Sequence, residues 1–381
     1  MTKKFEIGPI RPPSEAGSLL LRVTRNCSWN KCKFCNIYRG QKFSTRSVEE
    51  IKTDIDQVAS LRGDILSWMP GNAPHNYSMV EEKLHRLPEE IAHRYFYVLH
   101  WMAGGEESVF LQDANTMVLA FDKLREILFY LRGKFPQVKR VTSYARVDSL
   151  LKFSMEQLTE LKKAGLDRIH SGYESGSDRV LTFINKGYTK AHEIEVGQKV
   201  KASGIELSIY YMPGVGGKDL SLDNALETAD VVNKINPDFV RVRTFIPRLG
   251  TELSDDINTG RMKGCTDREN VLELKKMIES IDGADGYLYS DHIMNLLEDA
   301  NGNMKTDKEK MLSVFMDFEK LDTPTQRKYQ IARRMGMVRS LSHLDFLDEA
   351  QQEKINAYLS QCDSEEKFEA FILRLLRRGA R

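Results

Sequence analysis

The sequence predicts an α/β protein built on a partial (β/α)6, TIM-like barrel, with an aromatic-rich insertion after the first helix and a helical C-terminal extension. Three observations predict this fold. Six apolar or β-branched runs alternate with segments of helical periodicity between residues 18 and 250. The aromatic-rich stretch interrupts the alternation once, and helical periodicity dominates after residue 265. Regular alternation of this kind is typical of parallel strands with helices packed outside them.

Each strand is predicted from an apolar or β-branched run, and each helix from apolar residues that recur every three or four positions. The predicted strands are 18–24, 108–112, 138–144, 168–173, 206–212 and 239–246. The predicted helices among them are 48–61, 120–131, 154–163, 191–201 and 222–234. Gly165 and Gly204 each follow a helix and precede a strand, where glycine readily takes the left-handed conformation that ends a helix. They lie 39 residues apart, a length that suits one βα unit.

Two regions fall outside the repeating pattern. The segment 62–107 is too long for an ordinary βα loop and is rich in aromatic residues and histidine, including His75 and Tyr77. It is interpreted as a substrate-binding element, a dimerisation element or an extra pair of packing helices. Beyond it, helices are predicted at 267–281, 308–320, 325–341, 349–359 and 364–377, with a short strand at 286–291. We therefore divide the chain into 1–255 and 256–381.

The composition is that of a soluble globular protein. Hydrophobic residues make up 41% and charged residues 29% of the chain, and no apolar run approaches the roughly 18–20 residues that span a bilayer. The net charge of +1 gives no general attraction to nucleic acid or to an anionic membrane. The first residues lack the apolar stretch of a secretory signal. We expect a cytoplasmic protein with no membrane partner, and oligomer formation stays open.

Three of the five cysteines, Cys27, Cys32 and Cys35, follow the first predicted strand with the spacing C-x4-C-x2-C. Three thiolates can hold three irons of a [4Fe–4S] cluster and leave the fourth iron open, whereas four-cysteine sites usually only carry electrons. Zinc is the alternative, but it normally takes four ligands, often in two C-x2-C pairs. The candidate fourth ligands, His75 and Cys265, are distant in sequence. The motif therefore predicts an enzyme with an iron–sulfur cluster.

With an aromatic residue, Phe34, directly before the last cysteine, the motif resembles that of the radical S-adenosylmethionine (SAM) superfamily, although most members have C-x3-C-x2-C. The resemblance covers residues 18 to about 251. It implies a [4Fe–4S] cluster and SAM as cofactors, and an electron donor such as flavodoxin or ferredoxin. It also implies that SAM binds the open iron through its amino and carboxylate groups. One-electron cleavage of SAM would then give a 5′-deoxyadenosyl radical that abstracts hydrogen from a substrate.

The resemblance assigns site residues mainly at the C-terminal ends of the predicted strands, where the active sites of such barrels are built. Glu174 is expected to meet the ribose of SAM, and Gln112 and its neighbours the amino group. The full set of implied SAM contacts is Phe34, Gln112, Asp113, Asn115, Ser143, Arg146, Glu174, Met212 and Arg243. Candidate substrate contacts are His75, Tyr77, Arg241, Asp291 and His292. No residue is assigned the role of catalytic acid or base.

Two sequence features that other radical SAM enzymes carry are not evident here, and this limits the choice of reaction. The sequence shows neither an evident cobalamin-binding domain nor a second cysteine cluster, which leaves a single-cluster enzyme acting on a small molecule. Chain size, cysteine spacing and the opening segment 11–17 resemble those of lyases that release queuine from queuosine or queuosine 5′-phosphate. A modified nucleoside is therefore the expected substrate. The alternatives are an oxidase or dehydratase of another small molecule, and an iron–sulfur protein that only transfers electrons.

Overall fold

The computed structural model describes residues 4–69 and 78–379, so the predicted substrate residues His75 and Tyr77 lie outside the described residues. The chain forms two compact units that interleave along the sequence. The first comprises residues up to Trp29, Gly40–Ser171 and Lys199–Glu206. The second comprises Asn30–Arg39, Gly172–Gln198 and the chain from Leu207 onward. Each unit is described below by itself.

The first unit is a parallel sheet with helices. Its strands are β1 (Leu19–Arg22), β2 (Thr24–Arg25), β3 (Ser44–Thr45), β4 (Ser108–Gln112), β5 (Arg140–Ala145) and the first part of β6 (Arg168–Glu174). Strands β1, β4, β5 and β6 pair in parallel in that order, and β2 pairs with β3 in antiparallel fashion. Its helices are α1 (Val48–Trp68), α2 (Ser78–Leu84), α3 (Glu89–Ala103), α4 (Phe121–Lys134), α5 (Val147–Leu150) and α6 (Met155–Lys163).

The register of this sheet separates two faces. Ring contacts of 4.9–6.4 Å between centroids join Phe110, Tyr144 and His170, so these three side chains share one face. Because side chains alternate along a strand, Ser143 lies on the opposite face. It shares that face with its register partners Leu111 and Ile169, all of them buried.

The described part of the predicted insertion contains the last turns of α1, which extends to Trp68, and helices α2 and α3, which pack on α1. The Tyr95 hydroxyl donates to the Asp64 carboxylate, and the Tyr95 ring lies 4.9 Å from that of Trp68. Trp101 is buried and donates from its indole nitrogen to the Ser108 carbonyl at 2.9 Å, at the start of β4. These contacts give the described aromatic residues a packing role, the third of the interpretations offered by the sequence.

The opening segment forms a short 3-10 helix, Pro13–Glu15, that buries a carboxylate. Glu15 accepts from the Ser18 hydroxyl and lies 3.4 Å from both His170 and Arg140. Burial alone would raise the pKa of Glu15, but the hydrogen bonds from His170 and Ser18 and the charge of Arg140 hold it below its ordinary value. The segment 11–17 therefore has a structural explanation that does not depend on a substrate.

The second unit carries the remaining strands. They are β7 (Glu206–Tyr211, which enters this unit at Leu207), β8 (Phe239–Val242), β9 (Tyr287–Tyr289) and β10 (Gly302–Asn303). Strands β7, β8 and β9 pair in parallel, and β10 pairs with β9 in antiparallel fashion. Its helices are α7 (Asp178–Phe183), α8 (Lys190–Ala202, whose last turn belongs to the first unit), α9 (Gly217–Ile235), α10 (Glu252–Asn258), α11 (Asp267–Glu279), α12 (Lys308–Lys320), α13 (Thr323–Arg334), α14 (Glu349–Leu359) and α15 (Glu365–Gly379).

The prediction of an α/β fold with parallel strands and helices is confirmed. The helix predicted over 325–341 is wrong beyond residue 334, because Gly336 takes a φ of +73° and ends it; a 3-10 helix at Leu341–Phe346 follows. The last parallel strand, β9, comes from the segment predicted as a C-terminal extension, while the division at residue 255 stays a prediction.

No helix in the described ranges is both long and apolar enough to span a membrane.

Candidate cluster and cofactor site

Two of the three cysteines lie in a loop that one arginine closes. The Arg39 guanidinium donates to the backbone carbonyls of Asn30, Cys32 and Cys35 at 3.1–3.3 Å. The Cys35 amide donates to the Cys32 carbonyl at 3.2 Å, which makes the C-x2-C segment a tight turn. Charged donors form stronger hydrogen bonds than neutral ones, so a single side chain fixes the backbone on both sides of the two thiols.

The same loop is joined to two other segments of the second unit. The Lys33 amide donates to the Ile184 carbonyl at 3.0 Å, and the Lys33 carbonyl accepts from the Leu253 amide at 3.2 Å. The Asn36 side chain donates to the Leu249 carbonyl at 3.0 Å. These long-range backbone contacts hold the cysteine loop between the end of α7 and the start of α10.

The structure brings together two predicted SAM contacts, Phe34 and Met212. The Phe34 ring packs against an apolar cluster that includes Met212, Val215 and Phe245. This cluster lies directly beside the cysteine loop, because Phe34 precedes Cys35 in the chain. This apolar cluster would exclude water from the region beside the thiols.

Glu174, the predicted ribose contact, ends β6 in a left-handed conformation, with φ +67°. The buried ammonium of Lys186 lies 3.4 Å from its carboxylate and 5.7 Å from the centroid of the Phe34 ring. A Cβ atom at Gly172 would fall 2.5 Å from the Glu174 carboxylate oxygen, so a side chain there would displace this carboxylate. Lys186, which sequence reasoning missed, thus links Glu174 to the aromatic residue beside Cys35.

Cys27 lies in the first unit, between two residues that the end of β4 holds. The Asn26 amide donates to the buried Asp113 carboxylate at 3.3 Å, and that carboxylate also accepts from Arg22 at 2.8 Å. The Asn115 side chain donates to the Ser28 hydroxyl at 2.8 Å. Asp113 and Asn115, predicted as SAM contacts, therefore position the residues on either side of Cys27.

Asn115 also connects this segment to Arg146, another predicted SAM contact. Its amide nitrogen donates to the Ser149 hydroxyl at 2.8 Å, and its amide oxygen accepts from the Arg146 backbone at 3.0 Å. The Arg146 guanidinium lies 5.1 Å from the Trp29 ring centroid and 2.9 Å from the Asp148 carboxylate. Asn115 and Arg146 thus occupy one polar cluster beside the Cys27 segment.

Two other predicted SAM contacts have different surroundings. Gln112 is buried, and its amide accepts from the Gly8 amide at 2.8 Å and donates to the Gly8 and Ile10 carbonyls. Most of the hydrogen-bonding groups of the Gln112 amide are therefore occupied by the N-terminal segment. Ser143 lies on the face of β5 opposite Tyr144, as described above. Direct contact of either with SAM stays a prediction.

The remaining described candidates lie within β8 (Arg241), just after β8 (Arg243) and just after β9 (Asp291 and His292). His292 is half-buried, and its pKa is lowered to about 4 by burial and by the charges of Arg243 and Arg248. The pKa of Arg248 is lowered by burial and by Arg243, while the Cys35 thiolate opposes this shift. Asp291 is exposed. The structure therefore brings together Arg243, Arg248 and His292, and Arg248 interacts electrostatically with one of the cysteines.

The chemistry of the cysteine segments, which carry thiol donors with cations nearby, suits an anionic [4Fe–4S] cluster. Thiolates are the ligands that such clusters take, and nearby cations lower the pKa of a thiol and favour its thiolate form. Arg248 supplies a positive charge at Cys35, and Arg39 donates to the backbone of the same loop. Glu174, ordered by Lys186, offers a carboxylate of the kind that accepts from ribose hydroxyls.

A buried carboxylate supports the turn that follows β7. Glu273 accepts from the Tyr211 hydroxyl and the Gly214 amide, each at 3.0 Å, from the Asn224 side chain at 2.6 Å and from the Ser221 hydroxyl. Burial raises its pKa to about 7 against these hydrogen bonds. Sequence reasoning missed Glu273. The sequence feature that could have revealed Glu273 is its position as a charged residue within the apolar stripe of α11, next to Leu274.

The chain is similar to several known proteins. The Radical SAM superfamily model matches residues 21–227. The tRNA uridine(34) acetyltransferase of Methanocaldococcus jannaschii is 27% identical over 127 residues, which are 33% of this chain and 23% of that protein. The tRNA-2-methylthio-N(6)-dimethylallyladenosine synthase of Caldicellulosiruptor saccharolyticus is 27% identical over 205 residues, 51% of this chain and 41% of that protein. The chain thus spans less than half the length of these relatives.

Solved structures of similar proteins include a methylornithine synthase and the coproporphyrinogen III oxidase of Escherichia coli. The first has a TM-score of 0.41 at 14% identity, covering 69% of this chain and 63% of that chain. The second has a TM-score of 0.40 at 13% identity, covering 68% of this chain and 50% of that chain.

Replacing Asn115 tests whether β4 positions the Cys27 segment. Asn115→Ala removes buried hydrogen bonds to Ser28, Ser149 and Arg146, and leaving a buried group unsatisfied costs about 1–3 kcal/mol. We expect iron and sulfide bound per chain after anaerobic reconstitution to fall severalfold. Asn356→Ala, on the exposed side of α14, is the control. Full cluster content in Asn115→Ala, with an unchanged circular dichroism spectrum, would contradict this role.

The Glu273 carboxylate predicts a dependence of stability on pH. Its pKa rises from 4.5 to about 7 on folding, so the folded state binds the proton more tightly than the unfolded state. The resulting stability is present at low pH and is lost as pH rises to about 7, by ~2–3 kcal/mol. Glu273→Gln removes this change. The free energy of unfolding of wild type, Glu273→Gln and the exposed control Glu366→Gln is measured by urea titration from pH 5 to 8. Equal slopes for all three would refute the assignment.

Proposed function

The chain belongs to the radical SAM superfamily, whose model covers more than half of its length, and from this premise we propose that it cleaves a modified nucleoside. Members of this superfamily are enzymes that use a [4Fe–4S] cluster and SAM, which decides for iron–sulfur over zinc at the three cysteines. When bound, the two cofactors supply a 5′-deoxyadenosyl radical. The observation that carries the proposal is the group of three thiols, Cys27, Cys32 and Cys35, on segments that long-range hydrogen bonds hold in place.

The chain's own residues would bind and orient the two cofactors and exclude water from them. Cys27, Cys32 and Cys35 would hold the cluster, and Glu174 would accept from the ribose hydroxyls of SAM with Lys186 fixing its carboxylate. The apolar side chains of Phe34 and Met212 would cover the adenosyl group. Enzymes that handle reactive intermediates need such enclosure, since water and oxygen divert them.

For the substrate, we propose queuosine or queuosine 5′-phosphate, cleaved to release queuine. Removal of a ribose hydrogen would leave a sugar radical whose collapse breaks the bond to the base, and a second electron from the donor together with a proton would complete queuine. One support is that the sequence contains a single cysteine motif. The other is that the names of two relatives refer to modified uridine and adenosine in tRNA. Flavodoxin or ferredoxin would supply the electron, in the cytoplasm. The segment 11–17 carries less weight than the sequence indicated, because Glu15 has a structural role.

Cysteine variants test the enzymatic step. The reduced, reconstituted protein is expected to convert SAM to 5′-deoxyadenosine and methionine, measured by liquid chromatography. Cys35→Ala should lower this rate at least 100-fold, because one iron loses its ligand. Cys362→Ala, which changes a cysteine outside the motif, should leave it within about twofold of wild type. An intact cluster that yields no 5′-deoxyadenosine with any candidate substrate would instead support a protein that only transfers electrons.

The substrate proposal has its own test. Adding queuosine or queuosine 5′-phosphate to the reduced protein and SAM should release queuine, with 5′-deoxyadenosine formation stimulated in parallel. Guanosine serves as the control, since it lacks the 7-deaza base. Formation of 5′-deoxyadenosine without any queuine would reject this substrate while leaving the enzyme class intact.

A further inference from the structure

Three arginines of the second unit lack a carboxylate partner. Arg241, Arg243 and Arg248 form no ion pair with any residue in the described ranges, although ion pairs are common elsewhere in the unit. All three are half-buried rather than exposed. The Nε atom of Arg241 is buried and has no hydrogen-bond partner among the described residues. Partial burial of an unpaired cation is unfavourable, so such a group is expected to have a ligand.

Asn295 connects the segment of one of these cations, Arg243, to the segment of a histidine. Its buried side-chain oxygen accepts from the amide and hydroxyl of Thr244, each at 2.9 Å. Its side-chain nitrogen donates to the carbonyls of Val242 and Ser290 at 2.9 and 3.0 Å. One amide therefore joins the residues on either side of Arg243 to the loop that contains His292.

His292 adds a hydrogen-bond donor to this cluster. Its Nδ1 accepts from the Met294 amide at 3.2 Å, so the neutral ring carries its proton on Nε2. Burial, together with the charges of Arg243 and Arg248, lowers the pKa of His292 to about 4, so the ring is neutral at physiological pH. A neutral imidazole with Nε2–H can donate to an anion without adding a third positive charge. The cluster thus offers two guanidinium groups and one neutral donor.

An aromatic surface lies next to these cations. The Arg241 guanidinium is 4.8 Å from the Tyr289 ring centroid and 5.9 Å from that of Phe239. The Tyr289 ring lies 4.5 Å from that of Tyr287. In the parallel register Arg241 pairs with Tyr289, on the face of β8 opposite Val240 and Val242. Arginine planes and tyrosine rings both stack on planar heterocycles.

The distance between the cation cluster and the aromatic surface suits a single ligand that contacts both. Arg243 follows Arg241 by two residues, and a strand rises about 3.3 Å per residue, so their backbones are ~7 Å apart. This span is of the order of the separation between the phosphate and the base of a nucleotide. The cations would bind the oxyanion by charge-assisted hydrogen bonds, and the aromatic surface would stack on the ring.

We propose that Arg243, Arg248 and His292 form an oxyanion site for the substrate, and that Arg241 and Tyr289 stack on its planar ring. The substrate is then an anion with a planar base, of the nucleoside 5′-phosphate class, rather than a neutral nucleoside. This inference rests on the proposed function, because it assigns the substrate class of the same site.

The oxyanion could also come from SAM, since Arg248 interacts with Cys35 and so lies near the cluster ligands. The carboxylate of SAM and the phosphate of a substrate share the chemistry that two arginines recognise. Binding experiments with separate ligands distinguish the two sources, and they need neither reductant nor turnover.

The probes are guanosine 5′-monophosphate and guanosine, titrated into the anaerobically reconstituted protein by equilibrium dialysis. We expect the monophosphate to bind at least tenfold more tightly. Arg243→Gln and Arg248→Gln should each reduce this preference to less than threefold. The control is Arg261→Gln, which alters an exposed arginine paired with Asp256 and should leave the preference unchanged. Equal binding of the two probes to the wild type would overturn the proposal.

Two further readouts separate the outcomes. In the absence of added anion, the melting temperature of Arg243→Gln should equal or exceed that of wild type, because one of two repelling charges is gone; a purely structural arginine would give a clear loss. The dissociation constant of SAM should change less than threefold in Arg243→Gln. A tenfold loss of SAM binding with an unchanged preference for the monophosphate would assign the site to SAM and overturn the proposal. Formation of 5′-deoxyadenosine tests the enzyme class independently.

Discussion

The three hydrogen bonds that Arg39 donates to Asn30, Cys32 and Cys35 are the constraint on which the candidate site depends. A cluster ligand on a mobile loop would have to be ordered when the cluster binds, at a cost of about 1–2 kcal/mol for each residue fixed. Arg39 and the backbone contacts of Lys33 provide that order in the folded chain. Glu174, Lys186 and Phe34 are then arranged around a loop whose geometry is already set.

Buried polar side chains perform the same task elsewhere. Asp113 and Asn115 fix the residues that flank Cys27, Glu273 holds the turn after Met212, and Asn295 holds the strand end at Arg243. Each is a polar group whose hydrogen bonds join segments far apart in sequence. Such groups are costly to bury unless satisfied, and when satisfied they specify one arrangement of the chain.

Periodicity predicted the elements well where one face is apolar. Strand 108–112 and helices 308–320 and 349–359 have the bounds that the sequence indicated, because their apolar residues follow a single period. Long-range polar contacts leave no such pattern. For this reason the sequence did not reveal the role of Arg39, the link from Lys186 to Glu174 or the hydrogen bonds of the Gln112 amide with Gly8 and Ile10. The cysteine spacing indicated the superfamily because its ligands are local in sequence; the unpaired arginines needed the structure.

The central claim is that three cysteines leave one iron open to SAM. Electron–nuclear double resonance of the reduced, reconstituted protein tests it most directly, with SAM carrying ¹⁵N in its amino group and ¹³C in its carboxylate. We predict hyperfine couplings of both labels to the cluster, and their loss in Cys35→Ala. A wild-type cluster spectrum without either coupling at saturating SAM would contradict the claim.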